Sequence, residues 1–275
     1  MTALPAKILI AGASGLIGTA LGDRLRARGH EVRCLVRHAA TKPHEYAWDP
    51  ASGRLDDAAL RDVNVVINLA GVNVAAGRWT KPQRDLIRSS RVASTRLLVD
   101  AMARCRVRPQ VLINASAAGF YGDTQGRVVD ETAVAGAGFL AQVCREWEAE
   151  ARRAEAFGVR TVCLRLGVVL SATGGALAKM LPVFRMGLGG RLGSGRQTMS
   201  WIALGDLLAV FDRVLADEAL CGPINAVAPS PVSNAVFTRE LARALGRPAM
   251  LPVPAWALRL TFGQMADEAL YLESL

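Results

Sequence analysis

The amino-acid sequence predicts an α/β fold in which a doubly wound parallel sheet is followed by a smaller C-terminal lobe. Short continuous apolar runs, typical of strands buried on both faces, alternate with longer amphipathic segments. A glycine-rich turn joins the first run to the first of those segments. With 51% hydrophobic and 21% charged residues among 275, the chain has the composition of a globular protein with a sizeable core.

The chain begins as a strand, a glycine turn and a helix. Lys7 to Ala11 has the length of a buried strand, and the helical pattern that follows ends at Gly29, a residue suited to a C-terminal cap. Two more strands are predicted at Glu31 to Val36 and at Val63 to Leu69. These elements form the first part of a parallel sheet.

The alternation continues as far as residue 167. The next predicted elements are a helix over Gln83 to Arg104, a strand over Val111 to Ala115, a helix over Phe139 to Phe157 and a strand over Arg160 to Leu166. Strands that alternate with helices of this length predict right-handed crossovers. We therefore assign residues 1–167 to one domain.

The composition changes after Gly167, where glycines and prolines become frequent. Residues 168–275 are therefore expected to form the smaller lobe. Ile224 to Val227 has the pattern of a strand, so that residues 222–228 would return to the main sheet, and Asn234 to Leu245 is typical of a helix.

Composition and spacing argue against several classes of protein. We find no run of 18 apolar residues and no recognisable signal peptide, so a cytoplasmic protein without a membrane partner is expected. The five cysteines are scattered and the three histidines lack ligand spacing, so neither disulfides nor a metal site are expected. The net charge of +9 comes from 29 arginines and four lysines without runs, which does not favour a nucleic-acid partner.

The strongest local motif is the turn GASGLIG between the first strand and the first helix. Its glycines lack a Cβ atom, so main-chain N–H groups and the helix N-terminus can approach a pyrophosphate closely. A Rossmann-type, dinucleotide-binding domain is therefore predicted, although the spacing is GxxGxxG rather than GxGxxG. A glycine connection without a ligand is the alternative. The expected cofactor contacts are Gly12, Ser14, Gly15, Leu16, Ile17 and Gly18.

The end of the second strand indicates which dinucleotide binds. A domain that prefers NAD offers an acidic residue to the ribose hydroxyls there, whereas this sequence has Val36 and Arg37. The Arg37 guanidinium can pair with a 2′-phosphate through two parallel hydrogen bonds, which favours NADP(H) as the cofactor. An ordinary surface arginine is the alternative.

Further motifs along almost the whole chain resemble the short-chain dehydrogenase/reductase superfamily. They are similar to its extended, epimerase-like branch, and within it to the epimerase family proteins of the YfcH type. The motifs are GASGLIG, NLAG at 68–71, SSR at 89–91, SAAGFYG at 116–122, FLAQVCREWE at 139–148, LRLGVVL at 164–170 and GLGGRLGSGRQ at 187–197.

The resemblance implies a domain that binds NADP(H) and a C-terminal lobe that closes a substrate cleft over the nicotinamide. It also implies that four residues at the end of the third predicted strand and just beyond it line the adenosine side of the cofactor. Arg91 is expected to lie near the cofactor as well. Those four residues are Asn68, Leu69, Ala70 and Gly71. For Asn68, a side chain bonded to a neighbouring loop is the alternative.

The acid/base groups usual in this superfamily are missing. They are a tyrosine, a lysine four residues later and a serine or threonine, but the tyrosine and lysine positions hold Phe139 and Val143. The serine position falls on Ala117 or, with a shift of one, on Ser116. Candidates for a replacement group, each with an alternative role in packing or in a turn, are Ser116, Tyr121, Asp123, Asp130, Glu131 and Cys144.

Two functions remain open. One is an NADP(H)-dependent oxidoreductase or epimerase-like enzyme that acts on a small molecule with an unusual acid/base group. The other is a non-catalytic NADP(H) sensor or regulatory module. Arg191 and Arg196, on the glycine-rich segment of the second lobe, suit an anionic substrate, with plain solvent exposure as the alternative. The expected partners are a small-molecule substrate and, in a homodimer, a second copy of the chain.

Overall fold

The computed structural model describes residues 5–254 together with residues 256, 259, 260 and 263. The strands are β1 (Lys7–Ala11), β2 (Glu31–Val36), β3 (Glu45–Asp49), β4 (Arg54–Leu55), β5 (Val65–Asn68), β6 (Val111–Ala117), β7 (Arg160–Leu166), β8 (Val168–Ser171), β9 (Thr198–Met199), β10 (Trp201–Ala203), β11 (Gly222–Ala226) and β12 (Val232–Ser233). The α-helices are α1 (Leu16–Ala27), α2 (Lys81–Arg104), α3 (Phe139–Arg152), α4 (Gly175–Arg185), α5 (Leu204–Ala216) and α6 (Asn234–Leu245). None of the helices in the described part is long and apolar enough to cross a bilayer.

Eight strands form the main sheet in the order β11-β7-β6-β5-β1-β2-β3-β4. Neighbouring strands are parallel except for β3 and β4. The strand order runs outward from β1 in both directions, which is the doubly wound arrangement, and the predicted fold class is confirmed. The order reverses between β1 and β5, and open α/β sheets bind their ligands at the carboxyl edge beside that point.

Both faces of the sheet are covered by helices, as its sequence pattern requires. Ile8 of β1 faces a cluster that includes Leu21 of α1 and Phe211 of α5. Leu9, the next residue, faces the opposite cluster, which includes Leu98 of α2. Successive strand residues point to opposite faces, so a strand covered on both sides must be apolar throughout.

The second half of the chain also contributes to this main layer. The strand β11 pairs with β7 in the main sheet. Asp212 of α5 forms ion pairs with Arg24 of α1 and with Arg28, which directly follows α1. The other elements form the parallel pair β8–β10, the antiparallel pair β9–β12, and the helices α4 and α6. Of the lobe expected over 168–275, residues beyond 254, apart from the four named above, lie outside the described residues.

Several predicted boundaries differ from the structure. The helix expected over 139–157 changes at Arg153 to a 3-10 helix, Arg153–Phe157, before Gly158 ends it with a φ of +83°. The strand expected over 224–227 spans Gly222–Ala226. The strands β3 and β4 are not predicted at all.

Candidate functional site

The glycine turn closes tightly behind β1. Gly12 has a φ of +81°, and a Cβ atom there would lie 2.6 Å from the carbonyl oxygen of Leu69. A Cβ atom at Gly18 would lie 2.2 Å from the carbonyl oxygen of Gly12. The geometry therefore allows only glycine at both positions.

The outer side of the same turn is open. Ser14 and Gly15 are exposed, and a Cβ atom at Gly15 would meet only the carbonyl oxygen of Gly12, at 3.4 Å. Leu16 and Ile17 begin α1, whose N-terminus has no side-chain cap and no acidic residue in its first turn. The first N–H groups of the helix thus point toward an uncovered surface that can receive an anion.

Val36, the last residue of β2, and Arg37, which follows it, lie beside this turn. Val36 is half-buried, whereas Arg37 is exposed and has no hydrogen bond or ion pair within the part of the chain that the structure describes. The neighbouring His38 has its Nδ1 2.8 Å from the carbonyl oxygen of Ala39. The Arg37 guanidinium is therefore free to pair with a ligand.

The Asn68 side chain connects the loop after β5 to the protein interior by hydrogen bonds. It is fully buried, and its Nδ2 donates to the Thr95 hydroxyl and to Asn114 Oδ1, each at 2.7 Å. Its Oδ1 accepts a hydrogen bond from the Ala70 N–H at 3.2 Å, and Trp147 donates to the same Thr95 hydroxyl. The loop after β5 is thereby fixed, and the Asn68 side chain is not available for contact with a ligand.

Arg91 on α2 lies against that loop. A Cβ atom at Gly71 would come within 3.0 Å of the Arg91 guanidinium, which donates to the carbonyl oxygens of Val72 and Ile87, each at 3.1 Å. Its guanidinium also lies 5.2 Å from the centre of the Trp147 ring. Burial lowers the pKa of Arg91, and no carboxylate pairs with it among the described residues. Leu69 is half-buried and Gly71 is exposed.

A buried ion pair lies at the carboxyl ends of β6 and β7. Arg165 of β7 donates from Nε and Nη2 to the two carboxylate oxygens of Glu148 on α3, each at 2.9 Å. The side chains are 4% and 8% exposed. Ser116 donates to Glu148 Oε1 at 2.6 Å. Tyr121 accepts from Arg165 Nη1 at 2.9 Å and donates to Asn225 Oδ1 at 2.7 Å.

The Ser116 and Tyr121 hydroxyls, suggested as replacement acids or bases, are therefore hydrogen-bonded around the buried ion pair. We call these bonded groups the Glu148–Arg165 network. Ser116 is 2% exposed and Tyr121 is 6% exposed. The Tyr121 hydroxyl uses its only proton on Asn225. Proton transfer from Tyr121 to a substrate would first have to break that bond.

The Arg165 guanidinium contacts the aromatic rings of Phe120 and Tyr121 as well as the Glu148 carboxylate. Its central carbon lies 3.5 Å from the centre of the Phe120 ring. Desolvation disfavours the charged form, yet hydrogen bonds with Glu148 and Tyr121 hold the pKa of Arg165 above its ordinary value. Arg165 therefore stays charged inside the core, and Glu148 supplies the matching charge.

Sequence reasoning did not identify this pair, although one signal was present. Arg165 lies within RTVCLRL, a run that is otherwise apolar enough to be buried on both faces. A charged residue in such a strand requires a buried partner of opposite charge. The sequence does not reveal that this partner is Glu148.

The side chains at the positions of the missing tyrosine and lysine are apolar. Phe139 begins α3 and packs edge-on against Trp79, with ring centres 5.2 Å apart. Val143, one turn later, is 1% exposed. Neither side chain can exchange a proton.

The acidic candidates in the loop before α3 make local bonds. Asp123 accepts from the Gln125 N–H, and Asp130 accepts from the Thr132 N–H and hydroxyl, bonds that lower the pKa of Asp130. Glu131 accepts a hydrogen bond from the Asn225 N–H at 2.7 Å and so connects this loop to β11.

Cys144 lies beneath the network and is 4% exposed. Burial raises the pKa of its thiol to about 11, with the Glu148 charge acting in the same direction. Burial likewise raises the pKa of Cys163 to about 12, whereas Cys221 is exposed. Cys144 therefore remains a protonated, inaccessible thiol at neutral pH.

These differences predict a simple labelling pattern. A thiol reagent at pH 8 should modify one cysteine rapidly in the native protein, and Cys221→Ser should abolish that rapid phase. The measurement is a stopped-flow count of reactive thiols. A rapid phase that survives in Cys221→Ser and disappears in Cys144→Ala would show that Cys144 is accessible.

The two arginines of the glycine-rich segment 187–197, Arg191 and Arg196, are both exposed. Arg191 and Arg196 flank a turn in which the Arg196 N–H donates to the Ser194 hydroxyl. Within the described residues, no group of three or more histidine, cysteine or acidic side chains could hold a metal ion.

Comparisons with known proteins agree with this architecture. The model of the NAD dependent epimerase/dehydratase family matches residues 8–225. The epimerase family protein Mb2239 of Mycobacterium bovis is 49% identical over 267 residues, which cover 97% of this chain and 88% of that protein. YfhF of Bacillus subtilis, also an epimerase family protein, is 34% identical over 264 residues, which cover 94% and 86%.

A solved structure is similar over nearly the whole chain. The crystal structure of human epimerase family protein SDR39U1 (isoform 2) with NADPH has a TM-score of 0.86 and 34% identity, covering 97% of this chain and 88% of that chain. The resemblance to epimerase family proteins is thus confirmed, and the relatives named here carry names other than YfcH.

Proposed function

The chain belongs to the NAD dependent epimerase/dehydratase family, and on that premise we propose that it binds NADP(H) at the carboxyl edge of its parallel sheet. The observation that carries the proposal is the open side of the glycine turn. Exposed Gly15 leaves room for a pyrophosphate against the uncapped N-terminus of α1, while Gly12 and Gly18 are needed to close the turn itself. The human relative with NADPH supports the same cofactor.

The remaining cofactor contacts follow from the positions around the turn. The N–H groups of Leu16, Ile17 and Gly18 would hold the pyrophosphate together with Ser14, and Val36 would border the adenosine. The main chain of Leu69, Ala70 and Gly71, supported by Arg91, would line the other side of the cofactor. For Asn68 we propose an indirect role, since its side chain fixes the loop and is fully buried.

We expect Arg37 to select NADPH over NADH. Its exposed guanidinium has no competing partner among the described residues, and a 2′-phosphate offers it a bidentate pair. NADPH should bind at least about tenfold more tightly than NADH, a difference of ~1.4 kcal/mol, and Arg37→Ala should remove most of that difference. Calorimetric titration of both nucleotides provides the measurement.

The control for that experiment is Arg54→Ala, which removes another exposed positive charge farther along the chain. It should leave the preference for NADPH intact. Equal affinities for the two nucleotides in the unmodified protein would contradict the role of Arg37.

For the reaction, we propose an oxidoreductase or epimerase-like activity that differs from the usual tyrosine–lysine chemistry. The nicotinamide, when bound, supplies a hydride donor or acceptor. Phe139 and Val143 exclude the usual proton donor, and the Ser116 and Tyr121 hydroxyls are bonded within the Glu148–Arg165 network. Either Tyr121 changes partners when substrate binds, or the proton comes from the substrate or from water.

A second candidate function is a non-catalytic NADP(H) sensor. The observation that favours it is the same closed network, because the Tyr121 hydroxyl already donates its proton to Asn225 inside the protein. Arg191 and Arg196 remain our proposal for contact with an anionic substrate if the protein is an enzyme.

One assay separates the two functions. The purified protein is incubated with NADPH or NADP+ and a panel of carbonyl compounds and nucleotide sugars. Absorbance of the reduced nicotinamide detects a net reduction or oxidation, and NMR of the sugars detects an epimerisation, which returns the hydride and leaves the absorbance unchanged. Either kind of turnover supports the enzyme, whereas tight NADPH binding without either supports the sensor. Turnover that survives a triple variant, Ser116→Ala with Tyr121→Phe and Cys144→Ala, would exclude those three side chains as the proton donor.

A further inference from the structure

The second lobe contains a cavity of about 390 Å³ between α6 and residues 249–252. About half of its wall is apolar, and that half is formed by Ala235, Ala242, Ala249, Met250 and Pro252. Its volume lies at the lower end of the range for small-molecule sites. None of the residues of the glycine turn lines it, so it is separate from the proposed cofactor site.

The charged residues that line this cavity are arginines. Arg191 reaches it from the glycine-rich segment and Arg239 from α6, and no acidic residue lines it. The Arg191 guanidinium has no hydrogen bond or ion pair within the described part of the chain. Arg239 donates from Nε to Glu240 at 3.1 Å, a pair in which both side chains are more than half exposed. Such a surface pair is weak, so the other N–H groups of Arg239 remain available.

The third polar side chain of the wall is buried and lacks a partner. Thr238 is 5% exposed, and its hydroxyl oxygen is buried without a hydrogen bond. Buried hydroxyl groups are nearly always hydrogen-bonded, and an unsatisfied one needs an explanation such as an absent ligand. Thr238 lines the same cavity as Arg239, so its unpaired hydroxyl is a further polar group for a ligand there.

We propose that this cavity binds a small carboxylate with an apolar body. The guanidinium groups of Arg191 and Arg239 form charge-assisted hydrogen bonds with the carboxylate, and the Thr238 hydroxyl donates to one of its oxygens. The alanine, methionine and proline side chains cover the apolar body. The apolar wall is the reason to choose a carboxylate with a hydrocarbon portion over inorganic phosphate, which would leave that wall unused.

Titration of the full chain with sodium hexanoate tests the proposal, with hexanamide and inorganic phosphate as the comparison ligands. Hexanoate should bind, and hexanamide and phosphate should bind at least about tenfold more weakly. No heat with hexanoate at millimolar concentrations would overturn the proposal. Hexanamide binding as tightly as hexanoate would overturn the role of the arginines, and phosphate binding as tightly would overturn the role of the apolar wall.

Variants locate the binding within the cavity. Arg239→Gln and Arg191→Gln should each weaken hexanoate binding about tenfold, whereas Arg243→Gln, a turn later on α6 and outside the cavity wall, should change it less than about twofold. Equal effects of Arg239→Gln and Arg243→Gln would overturn the site.

Thr238→Val keeps the shape of the side chain and removes the unpaired hydroxyl. It should weaken hexanoate binding while leaving the melting temperature unchanged or higher, because the native protein loses a buried polar group without a partner. Undiminished hexanoate binding in this folded variant would overturn the role of Thr238. NADPH titration of Thr238→Val and Arg239→Gln should be unaffected, so this proposal and the cofactor proposal succeed or fail separately.

Discussion

Glu148→Ala should lower the free energy of unfolding by about 3–5 kcal/mol, because it leaves the Arg165 guanidinium charged and uncompensated inside the core. Arg165 is 4% exposed and donates from Nε and Nη2 to the two carboxylate oxygens of Glu148. The variant also removes the acceptor of the Ser116 hydroxyl. Chemical denaturation followed by circular dichroism gives the measurement.

Two further variants show whether the buried charge is the cause. Glu146→Ala removes a carboxylate from the same helix, but one that pairs with Arg88 at the surface, and it should cost less than about 1 kcal/mol. The double variant Glu148→Leu with Arg165→Met should recover part of the loss, since no charge remains buried alone. Equal losses for Glu148→Ala and Glu146→Ala would contradict the account.

Gly15→Ala should weaken NADPH binding at least about tenfold, or ~1.4 kcal/mol, while the protein stays folded. An added Cβ atom meets only the Gly12 carbonyl oxygen at 3.4 Å, and Gly15 has a φ of −77°, which alanine adopts readily. The methyl group would instead occupy space that a pyrophosphate needs beside the helix N-terminus. Calorimetry measures the affinity, and thermal unfolding confirms that the variant is folded.

The matched control for Gly15→Ala is Gly205→Ala, near the start of α5, where an added Cβ atom meets nothing within 4 Å. It should leave NADPH affinity unchanged. A folded Gly15→Ala protein that binds NADPH as tightly as the unmodified chain would show that the open side of the turn is not the pyrophosphate site.

The centre of the fold is predictable from sequence because its signal is local. The strands β1, β5 and β6 are continuous apolar runs, which a parallel sheet covered on both faces requires. The strand β3 escapes prediction because it lies near the sheet edge, has acidic residues at both ends and is followed by a two-residue partner, β4. Short pairs such as β9–β12 depend on contacts between segments more than 30 residues apart.

The candidate site also has one part that a local motif predicts and another that depends on contacts between distant segments. The glycine turn is visible in seven consecutive residues because the need for a missing Cβ atom is local. The Glu148–Arg165 pair depends on how α3 lies across β7, which no short motif encodes, and only the charge within an apolar strand hints at it. The bonds that occupy Tyr121 join three elements and are likewise invisible in the sequence.

The most direct test of this account is a calorimetric titration of the unmodified chain with NADPH. We expect saturable binding of one NADPH per chain, with NADH binding more weakly. If neither nucleotide gives heat or raises the melting temperature at millimolar concentration, the glycine turn and Arg37 do not form a cofactor site.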